Sequence, residues 1–344
     1  MLSYLEKCEH GSESTVWEQP EGYRNAETAM SFDKIEGFRR LLERLPVHHP
    51  KHAVIAEKLG KAEAGIRGED WLVNKLEEVE PLAEFEVMAG VSLTVDETPF
   101  QMDCLVLAAN CALLLESKNI RGRLSFDEKT GEFTREEDGI VTVMPNPVWQ
   151  LKKNLRLLNE WLARHQFAVP IAGAVVMTSP KALLLNVPHN CRVIKLQQVP
   201  DTVLELLKAA PVKSAEGNPD RLSIALKAAN QSFIHNRLCE RFSIPFSDLR
   251  RGVYCPSCRT LSVKRDRRSW RCAKCGHADA RLHEDAVHEY VSFTDEPLTN
   301  RRLREFWGLE SRDVAYRVLK SLSSEKRNQN KNREYIVNIQ HQNS

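Results

Sequence analysis

The segment 102–118 reads MDCLVLAANCALLLESK and predicts two buried β-strands joined by a short turn. Its apolar halves, Cys104–Leu107 and Cys111–Leu115, contain no charge, as expected of strands that are buried on both faces of a sheet. Charged residues stand only at the outer ends, where Asp103 precedes the first half and Glu116-Ser117-Lys118 closes the second. We interpret the segment as a central β-hairpin with charged groups at its open end.

The register of this hairpin follows from its turn. A loop of even length centred on Ala109-Asn110 places Asp103 directly opposite Glu116, with Lys118 on the same face. Opposed residues have Cβ atoms about 5 Å apart, so the two carboxylates could share one hard cation such as Mg²⁺. Lys118 would then orient a water or offset the charge of a phosphate. An odd-length loop with a bulge would shift the match by one residue, and the simpler alternative is charged strand ends that face solvent.

The residues before the hairpin predict helices and one further strand. Pro46 and Pro50 divide residues 32–59 into two short helices, and a longer helix is predicted over about 62–79. Its apolar stripe consists of Ile66, Leu72, Val73, Leu76 and Val79. Glu69 lies within that stripe, where a carboxylate costs several kcal/mol unless it is paired or binds a metal. A strand over about 85–93 follows.

The residues after the hairpin complete an α/β pattern. A loop containing Gly122, Gly131 and Gly139 comes first. Asn146-Pro147 then predicts an N-cap followed by proline at the first helical position, which opens a helix to about Arg164. Strands are predicted over 171–178 and 192–196. The order helix, three strands, helix, strand indicates a mixed α/β sheet.

Together these residues resemble a known family. Asp103 with Glu116-Ser117-Lys118 resembles the PD-(D/E)xK signature of restriction-endonuclease-like nucleases, with Met102 where the signature has proline. Over about residues 61–180 the chain resembles the nuclease-related domain (NERD) family, on the motifs Gly65-x-x-Gly68-Glu69, Gln101-x-Asp103, Glu116-Ser117-Lys118-Asn119 with Gly122, and Asn146-Pro147-x-x-Gln150. The resemblance implies a divalent-metal phosphodiesterase. It also implies Asp103 and Glu116 as ligands of Mg²⁺ or Mn²⁺, Lys118 as the base that orients water, and Glu69 and Gln150 as supporting catalytic residues.

Four cysteines form a second motif. Cys255-x-x-Cys258 and Cys272-x-x-Cys275 are two pairs at the spacing of a zinc ribbon, in which each tight turn contributes two thiolates to one tetrahedral ion. The alternatives are two disulfides or a redox Cys-x-x-Cys pair. A reducing compartment disfavours disulfides, and a redox pair needs no partner pair. We predict a structural Zn²⁺ site.

The charge is unevenly distributed. Residues 251–281 hold nine basic and two acidic residues, although the net charge of the whole chain is only +2. Beyond them, residues 298–322 predict a helix-turn-helix, and the strand residues Tyr335, Val337 and Ile339 predict a wing. The residues expected to contact nucleic acid are Lys264, Arg265, Arg267, Arg268, Arg312, Arg317 and Lys320. The alternatives are a solvated basic face and a helical pair that does not bind DNA.

Length and composition restrict the class of protein. The chain has 344 residues, of which 42% are hydrophobic and 28% charged, which is typical of a globular protein with two or three domains. The longest apolar stretch, around 168–177, is shorter than the about 18 residues that a membrane helix needs. Glu6, Lys7 and Glu9 stand where a signal peptide would be apolar. We expect a cytoplasmic protein without membrane association.

The predicted fold is therefore α/β, with a restriction-endonuclease-like mixed sheet, a zinc ribbon and a winged-helix-like C-terminal module. The predicted divisions are a polar tail at 1–31, short helices at 32–60, the nuclease-related domain at 61–200, a helical connector at 201–250, the ribbon at 251–281 and the winged-helix-like module at 282–344. The predicted function is a metal-dependent nuclease acting on nucleic acid, with DNA as the expected substrate. The alternative is a nucleic-acid-binding or regulatory protein with an inactive nuclease-like scaffold.

Overall fold

The computed structural model describes residues 34–211, 219–230, 237–266, 269–323, 325–327 and 334–336. The predicted tail at 1–31, the basic residues Arg267 and Arg268, and the wing residues Val337 and Ile339 lie outside the described residues. No helix in the described part of the chain is long and apolar enough to cross a membrane.

The helices of the described residues are numbered α1 to α9. Their bounds are α1 Lys34–Arg44, α2 His52–Leu76, α3 Pro147–Arg164, α4 Val199–Ala209, α5 Pro219–Ala229, α6 Leu238–Phe242, α7 Leu282–Phe293, α8 Asn300–Trp307 and α9 Arg312–Leu322. Short 3₁₀ turns lie at Glu80–Leu82, Leu196–Gln198 and Phe246–Asp248.

The strands of the same residues are numbered β1 to β16 and form four sheets. Their bounds are β1 Phe85–Val95, β2 Thr98–Ala108, β3 Ala112–Lys118, β4 Gly122–Phe126, β5 Phe133–Glu137, β6 Ile140–Met144, β7 Ile171–Met177, β8 Ala182–Leu185, β9 Arg192–Lys195, β10 Val253–Cys255, β11 Thr260–Asp266, β12 Ser269–Cys272, β13 Ala278–Asp279, β14 Leu298–Thr299, β15 Glu325–Arg327 and β16 Glu334–Ile336.

The largest sheet has the order β1-β2-β3-β7-β9. The hairpin of β2 and β3 is antiparallel, whereas β3, β7 and β9 run parallel, so the sheet is mixed as predicted. Cys104 pairs with Leu115, which is the register expected from a turn centred on Ala109-Asn110. The alternative of a one-residue shift is therefore excluded.

Helices cover both faces of this sheet. One face, which includes Leu105 and Leu114, packs against Leu151 and Leu158 of α3. On the other face, apolar residues such as Leu113 pack with α2 and α4. Asn146 caps α3 as predicted, because its side chain accepts a hydrogen bond from the Val148 N–H at 2.9 Å. The α/β prediction for this part of the chain is confirmed.

Helix α2 differs from the prediction. The expected break between a short helix ending near Leu59 and a longer one starting at Ala62 is wrong, because α2 is continuous over its 25 residues. Its buried residues are Ile55, Gly68, Leu72 and Leu76, whereas Ile66 is 40% exposed. The predicted stripe misplaced Ile66 because the stripe that faces the sheet includes a glycine, a residue that carries no hydrophobic signal.

The glycine-containing loop of the prediction is a second sheet. Strands β4, β5 and β6 join β8 in the order β6-β5-β4-β8. This sheet escaped prediction because β5 has the charged sequence FTREE with only Phe133 buried, and the first four residues of β6 are exposed. Neither strand therefore shows the apolar alternation of a half-buried strand.

The C-terminal part of the chain forms a ribbon and a winged-helix-like arrangement. The ribbon has the strand order β10-β11-β12-β13, and the small sheet β14-β16-β15 accompanies α7, α8 and α9. Thr299 caps α8, Gly308 ends it with φ of +65°, and Ser311 caps α9. These helices confirm the predicted helix-turn-helix.

One hydrophobic core joins the ribbon and these helices to α1. It contains Phe38 and Leu41 of α1, Trp270 of the ribbon, and Tyr290 and Phe306 of α7 and α8. We call this assembly the C-terminal unit, although α1 lies near the start of the described chain.

A buried ion pair reinforces the C-terminal unit. Arg44 of α1 donates to both carboxylate oxygens of Glu289 of α7, at 2.6 and 2.9 Å, and the two side chains are 0% and 1% exposed. Arg44 also donates to the carbonyl oxygens of Arg250 and Gly252. Because breaking such a buried pair costs about 3–5 kcal/mol, α1 is an integral part of this unit.

Candidate functional site

Asp103 and Glu116 lie where the ladder of β2 and β3 ends. They occupy the next opposed positions beyond the pair Cys104 and Leu115. At this position a carboxylate replaces a backbone carbonyl as the hydrogen-bond acceptor, because Oδ2 of Asp103 accepts from the Ser117 N–H at 2.9 Å. Both carboxylates lie on the face covered by α3, because they alternate in step with Leu105 and Leu114. The hairpin therefore fixes two acidic groups beside one another.

Lys118 lies between these carboxylates. Its Nζ donates to Oε1 of Glu116 at 2.5 Å and to the carbonyl oxygen of Ser117 at 3.0 Å, and lies 3.8 Å from Oδ2 of Asp103. Glu116 is fully buried, so burial first and the Asp103 carboxylate second raise its pKa to about 7 in spite of Lys118. The site thus holds more negative charge than its own lysine neutralises.

Asn154 of α3 completes the surroundings of Glu116. Its Nδ2 donates to the carbonyl oxygen of Gln101 at 2.9 Å and lies 3.4 Å from Oε2 of Glu116. Asn154 is buried, so this amide holds the second carboxylate oxygen and the backbone of β2 together. The sequence-based site omitted Asn154, although a polar residue bordering the apolar stripe of α3 one turn after Gln150 was a usable signal.

Gln150 and Glu69, the supporting residues implied by the family resemblance, lie further from this centre. The Gln150 side chain is exposed and forms no hydrogen bond within the described residues, although it shares a helix face with Asn154. Glu69 is half-buried on α2, on the opposite side of the sheet. After burial, the charges of Asp103 and Glu69 raise the pKa of the Cys104 thiol to about 12, which places Glu69 close to β2.

Gly68 permits the close approach of α2 to this edge of the sheet. A Cβ atom at Gly68 would lie 2.7 Å from Oγ1 of Thr178, 2.9 Å from Cβ of Asn119 and 3.2 Å from Oγ of Ser117. Asn119 also donates to the carbonyl oxygen of Ala64 at 2.8 Å. Any larger residue at position 68 would therefore push α2, and Glu69 with it, away from the strands.

Gly122 allows the turn that leaves the site. Its φ is +103°, and a Cβ there would lie 2.7 Å from the carbonyl oxygen of Glu136. The chain can therefore pass directly from Lys118 into β4 and the second sheet.

The donor atoms at the sheet edge suit a hard divalent cation. Asp103 and Glu116 offer carboxylate oxygens and Ser117 offers a carbonyl oxygen, which are the ligand types that Mg²⁺ and Mn²⁺ prefer. Burial first and the Asp103 carboxylate second raise the pKa of Glu116, and a bound cation would counteract both effects. However, Glu69, Asp103 and Glu116 do not meet as a cluster, because the four cysteines are the only metal-binding group of three or more side chains found among the described residues.

The cysteines form a compact cluster. The sulfur atoms of Cys255, Cys258, Cys272 and Cys275 all lie within 4.8 Å of one another. Cys255 and Cys272 end strands β10 and β12, and Cys258 and Cys275 follow in the two turns. All four are free thiols, so the disulfide alternative does not hold in this structure. The cluster fits a zinc ribbon.

The pKa values of three of these thiols are shifted, and not all in the same direction. Burial raises the pKa of Cys255 to about 12. Burial acts in the same direction on Cys272, but the backbone N–H groups of Cys275 and Lys274 outweigh it and lower the pKa of Cys272 to about 6. The backbone N–H of His277 lowers the pKa of Cys275 as well. Two of the four sulfurs are therefore stabilised as thiolates by the second turn.

The predicted nucleic-acid contacts differ in exposure. Arg312, Arg317 and Lys320 are exposed on α9, and Lys264 is exposed on β11. Arg265 is only half-exposed, and its guanidinium carbon lies 5.5 Å from the ring centroid of Trp270. The exposed residues are available to phosphates, whereas Arg265 also packs on the ribbon.

Comparison with known proteins identifies the part of the chain that carries the carboxylates. No curated protein and no solved structure shows significant similarity to the chain. Residues 64–178 match the family model described as nuclease-related domain, NERD, and this span includes every carboxylate, lysine and glycine of the site described above. Residues 64–178 are therefore identified as a nuclease-related domain.

Proposed function

We propose that the protein is a divalent-metal-dependent nuclease that hydrolyses phosphodiester bonds, with DNA as the expected substrate. The observation that carries the proposal is the grouping of Asp103, Glu116 and Lys118 at the edge of the central sheet. This grouping lies within the residues that match the nuclease-related domain. The ribbon and the winged-helix-like part would hold the nucleic acid.

The chain's own residues suit metal-assisted hydrolysis. Asp103, Glu116 and the carbonyl oxygen of Ser117 would hold Mg²⁺ or Mn²⁺, which when bound polarises the scissile phosphate and acidifies water. Lys118 would direct its ammonium group toward the attacking water and the phosphate. The water oxygen would form a bond to phosphorus as its proton passes to solvent, while the bond to the leaving sugar oxygen breaks and that oxygen takes up a proton from solvent. Asn154 would keep Glu116 oriented throughout.

The cysteine cluster supports a second part of the proposal, a structural Zn²⁺. Four thiolates satisfy its preference for tetrahedral sulfur coordination. Such a site contributes its binding energy to folding, so the ion would stabilise the C-terminal unit.

One observation favours the alternative of an inactive scaffold. Lys118 already forms an ion pair with Glu116, and no carboxylate cluster of three or more is found among the described residues. In that case the domain would bind nucleic acid without cutting it.

One incubation separates these possibilities. The full-length protein is mixed with linear, circular and single-stranded DNA and with RNA, with Mg²⁺, with Mn²⁺ or with a chelator. We expect metal-dependent cleavage by the parent and by Glu84→Ala, which changes an exposed carboxylate outside the site. Lys118→Ala should bind Mn²⁺ yet lose turnover. If the protein binds nucleic acid but cleaves no substrate in any of the conditions tested, it is an inactive scaffold.

A further inference from the structure

Helix α2 belongs to two hydrophobic cores. Near its start, Ile55 is buried in the core of the C-terminal unit, and Leu59 and Ala62 pack against that core. Near its end, Leu72 and Leu76 are buried against the central sheet. None of residues 56–67 is fully buried, so the middle of the helix bridges the two cores.

The middle of α2 also makes polar contacts to both sides. In its middle, Glu63 forms an ion pair with Arg39 of α1 at 3.1 Å, and α1 is fixed to α7 by the pair of Arg44 and Glu289. At the next residue, the carbonyl oxygen of Ala64 accepts a hydrogen bond from Asn119, which follows Lys118 in the chain. The helix therefore runs without interruption from the C-terminal unit to the candidate active site.

We propose that α2 is a rigid spacer between two parts of the protein that contact one nucleic acid. It fixes the distance, measured along that nucleic acid, between the segment held by the C-terminal unit and the position that faces Asp103 and Glu116. This inference rests on the proposed function. The rise from Ile55 to Leu72 is about 26 Å at 1.5 Å per residue, which equals about 8 base pairs at 3.4 Å each. A continuous helix keeps this separation, whereas a flexible linker would sample many distances.

Two cross-linkers on one protein measure the separation without relying on cleavage. In the full-length protein, Tyr316→benzoylphenylalanine marks α9, and Trp149→benzoylphenylalanine marks the start of α3, the helix that carries Asn154; both parent side chains are exposed. The parent should cross-link a DNA duplex at two positions with one predominant spacing. A seven-residue alanine-rich insertion after Glu63, between the contacts to the two units, lengthens α2 by about 10 Å and turns it by only about 20°. The spacing should then increase by about 3 base pairs.

Two further variants keep the test decisive. Gly60→Ala lies in an open part of α2, with nothing within 4 Å of its added Cβ, and should leave the spacing unchanged. Lys61→Pro kinks the helix without lengthening it and should broaden the distribution of spacings between the two cross-linked positions. Three results would overturn the spacer. They are scattered spacings in the parent, a spacing that is unchanged in both the insertion variant and Lys61→Pro, and the absence of a cross-link at position 316. Shifted cross-links without any hydrolysis would support the spacer and refute the proposed nuclease, whereas hydrolysis with unshifted cross-links would do the reverse.

Discussion

The carboxylate edge and the cysteine cluster are two candidate metal sites of opposite construction. The four sulfur atoms already lie within 4.8 Å of one another, and the two turns that supply them are each encoded by one short motif. At the sheet edge, a buried carboxylate with a raised pKa faces a second carboxylate, and a lysine stands between them. The cysteine cluster offers four sulfur ligands that can surround one ion. The sheet edge instead holds two carboxylates beside a single lysine. This difference is expected between a structural site and a catalytic one.

Breaking the cysteine cluster should have the largest effect on folding. Structural zinc contributes about 10–16 kcal/mol of apparent binding free energy in small zinc domains. Cys255 and Cys272 belong to the core that also contains α1 and α7 to α9. Cys272→Ser should therefore lose zinc and unfold the whole C-terminal unit, while residues 64–178 keep their structure.

Elemental analysis and limited proteolysis check this prediction. Cys191→Ser, which removes a half-exposed thiol outside the cluster, should retain one equivalent of zinc and the proteolytic pattern of the parent. Freshly reduced parent protein without zinc would refute the zinc assignment.

At the sheet edge, the effect of charge should appear as a pH dependence of stability. The pKa of Glu116 rises from 4.5 to about 7 on folding, which corresponds to about 3 kcal/mol at 1.36 kcal/mol per unit. Because the folded state holds the proton more tightly, this stability is present below pH 4.5 and is lost as the pH rises through 7. Relative to the parent, Glu116→Gln should gain up to about 3 kcal/mol between pH 5 and 8.

Urea unfolding in the presence of a chelator, at both pH values, measures this difference. The matched variant Glu84→Gln changes an exposed carboxylate and should follow the parent. An identical pH dependence for Glu116→Gln and the parent would mean that Glu116 is not perturbed.

The contact of α2 with the site is tested by two glycines of the same helix. Gly68→Ala forces its Cβ into Thr178 and Asn119 and should cost about 1–3 kcal/mol, as overpacking does. It should also lower cleavage, because the same Cβ lies 3.2 Å from Oγ of Ser117, whose carbonyl oxygen belongs to the proposed site. Gly65→Ala meets nothing within 4 Å and should gain about 0.5–1 kcal/mol. Equal free energies of unfolding for the two variants would contradict the close approach.

The smallest expected effect concerns nucleic-acid binding by α9. Arg317 is exposed, and each phosphate contact contributes about −0.9 to the slope of log affinity against log salt on duplex DNA. Arg317→Ala should reduce the magnitude of this slope by about 0.9, whereas Lys75→Ala on α2 should not change it. An unchanged slope for Arg317→Ala would show that this arginine belongs to a solvated face. Substitution is preferable to truncation, because removing the C-terminal residues would expose the core that covers α1.

Local patterns in the sequence predicted the features that depend on neighbouring residues. The turn at Ala109-Asn110 determined the hairpin register, and the spacing of the cysteines was sufficient to predict their convergence. The role of Asn154 was not predicted because its partners, Glu116 and Gln101, lie 38 and 53 residues away in the sequence. The pair of Arg44 and Glu289 spans 245 residues, a contact for which no local pattern exists. The continuity of α2 depends on burial at both ends, which the residues around Gly60 do not reveal.

The cleavage rate of Asp103→Ala, compared with that of the parent purified in parallel, is the most direct test of the proposed nuclease. Metal-assisted charge stabilisation supplies several kcal/mol, and each 1.36 kcal/mol corresponds to a tenfold change in rate. We predict that the Mg²⁺-dependent rate falls by about 1,000-fold or more, with little net loss of folding stability, because relief of the repulsion between Asp103 and Glu116 offsets the lost hydrogen bond from the Ser117 N–H. Cleavage by Asp103→Ala at the parent rate would contradict the assignment of the site.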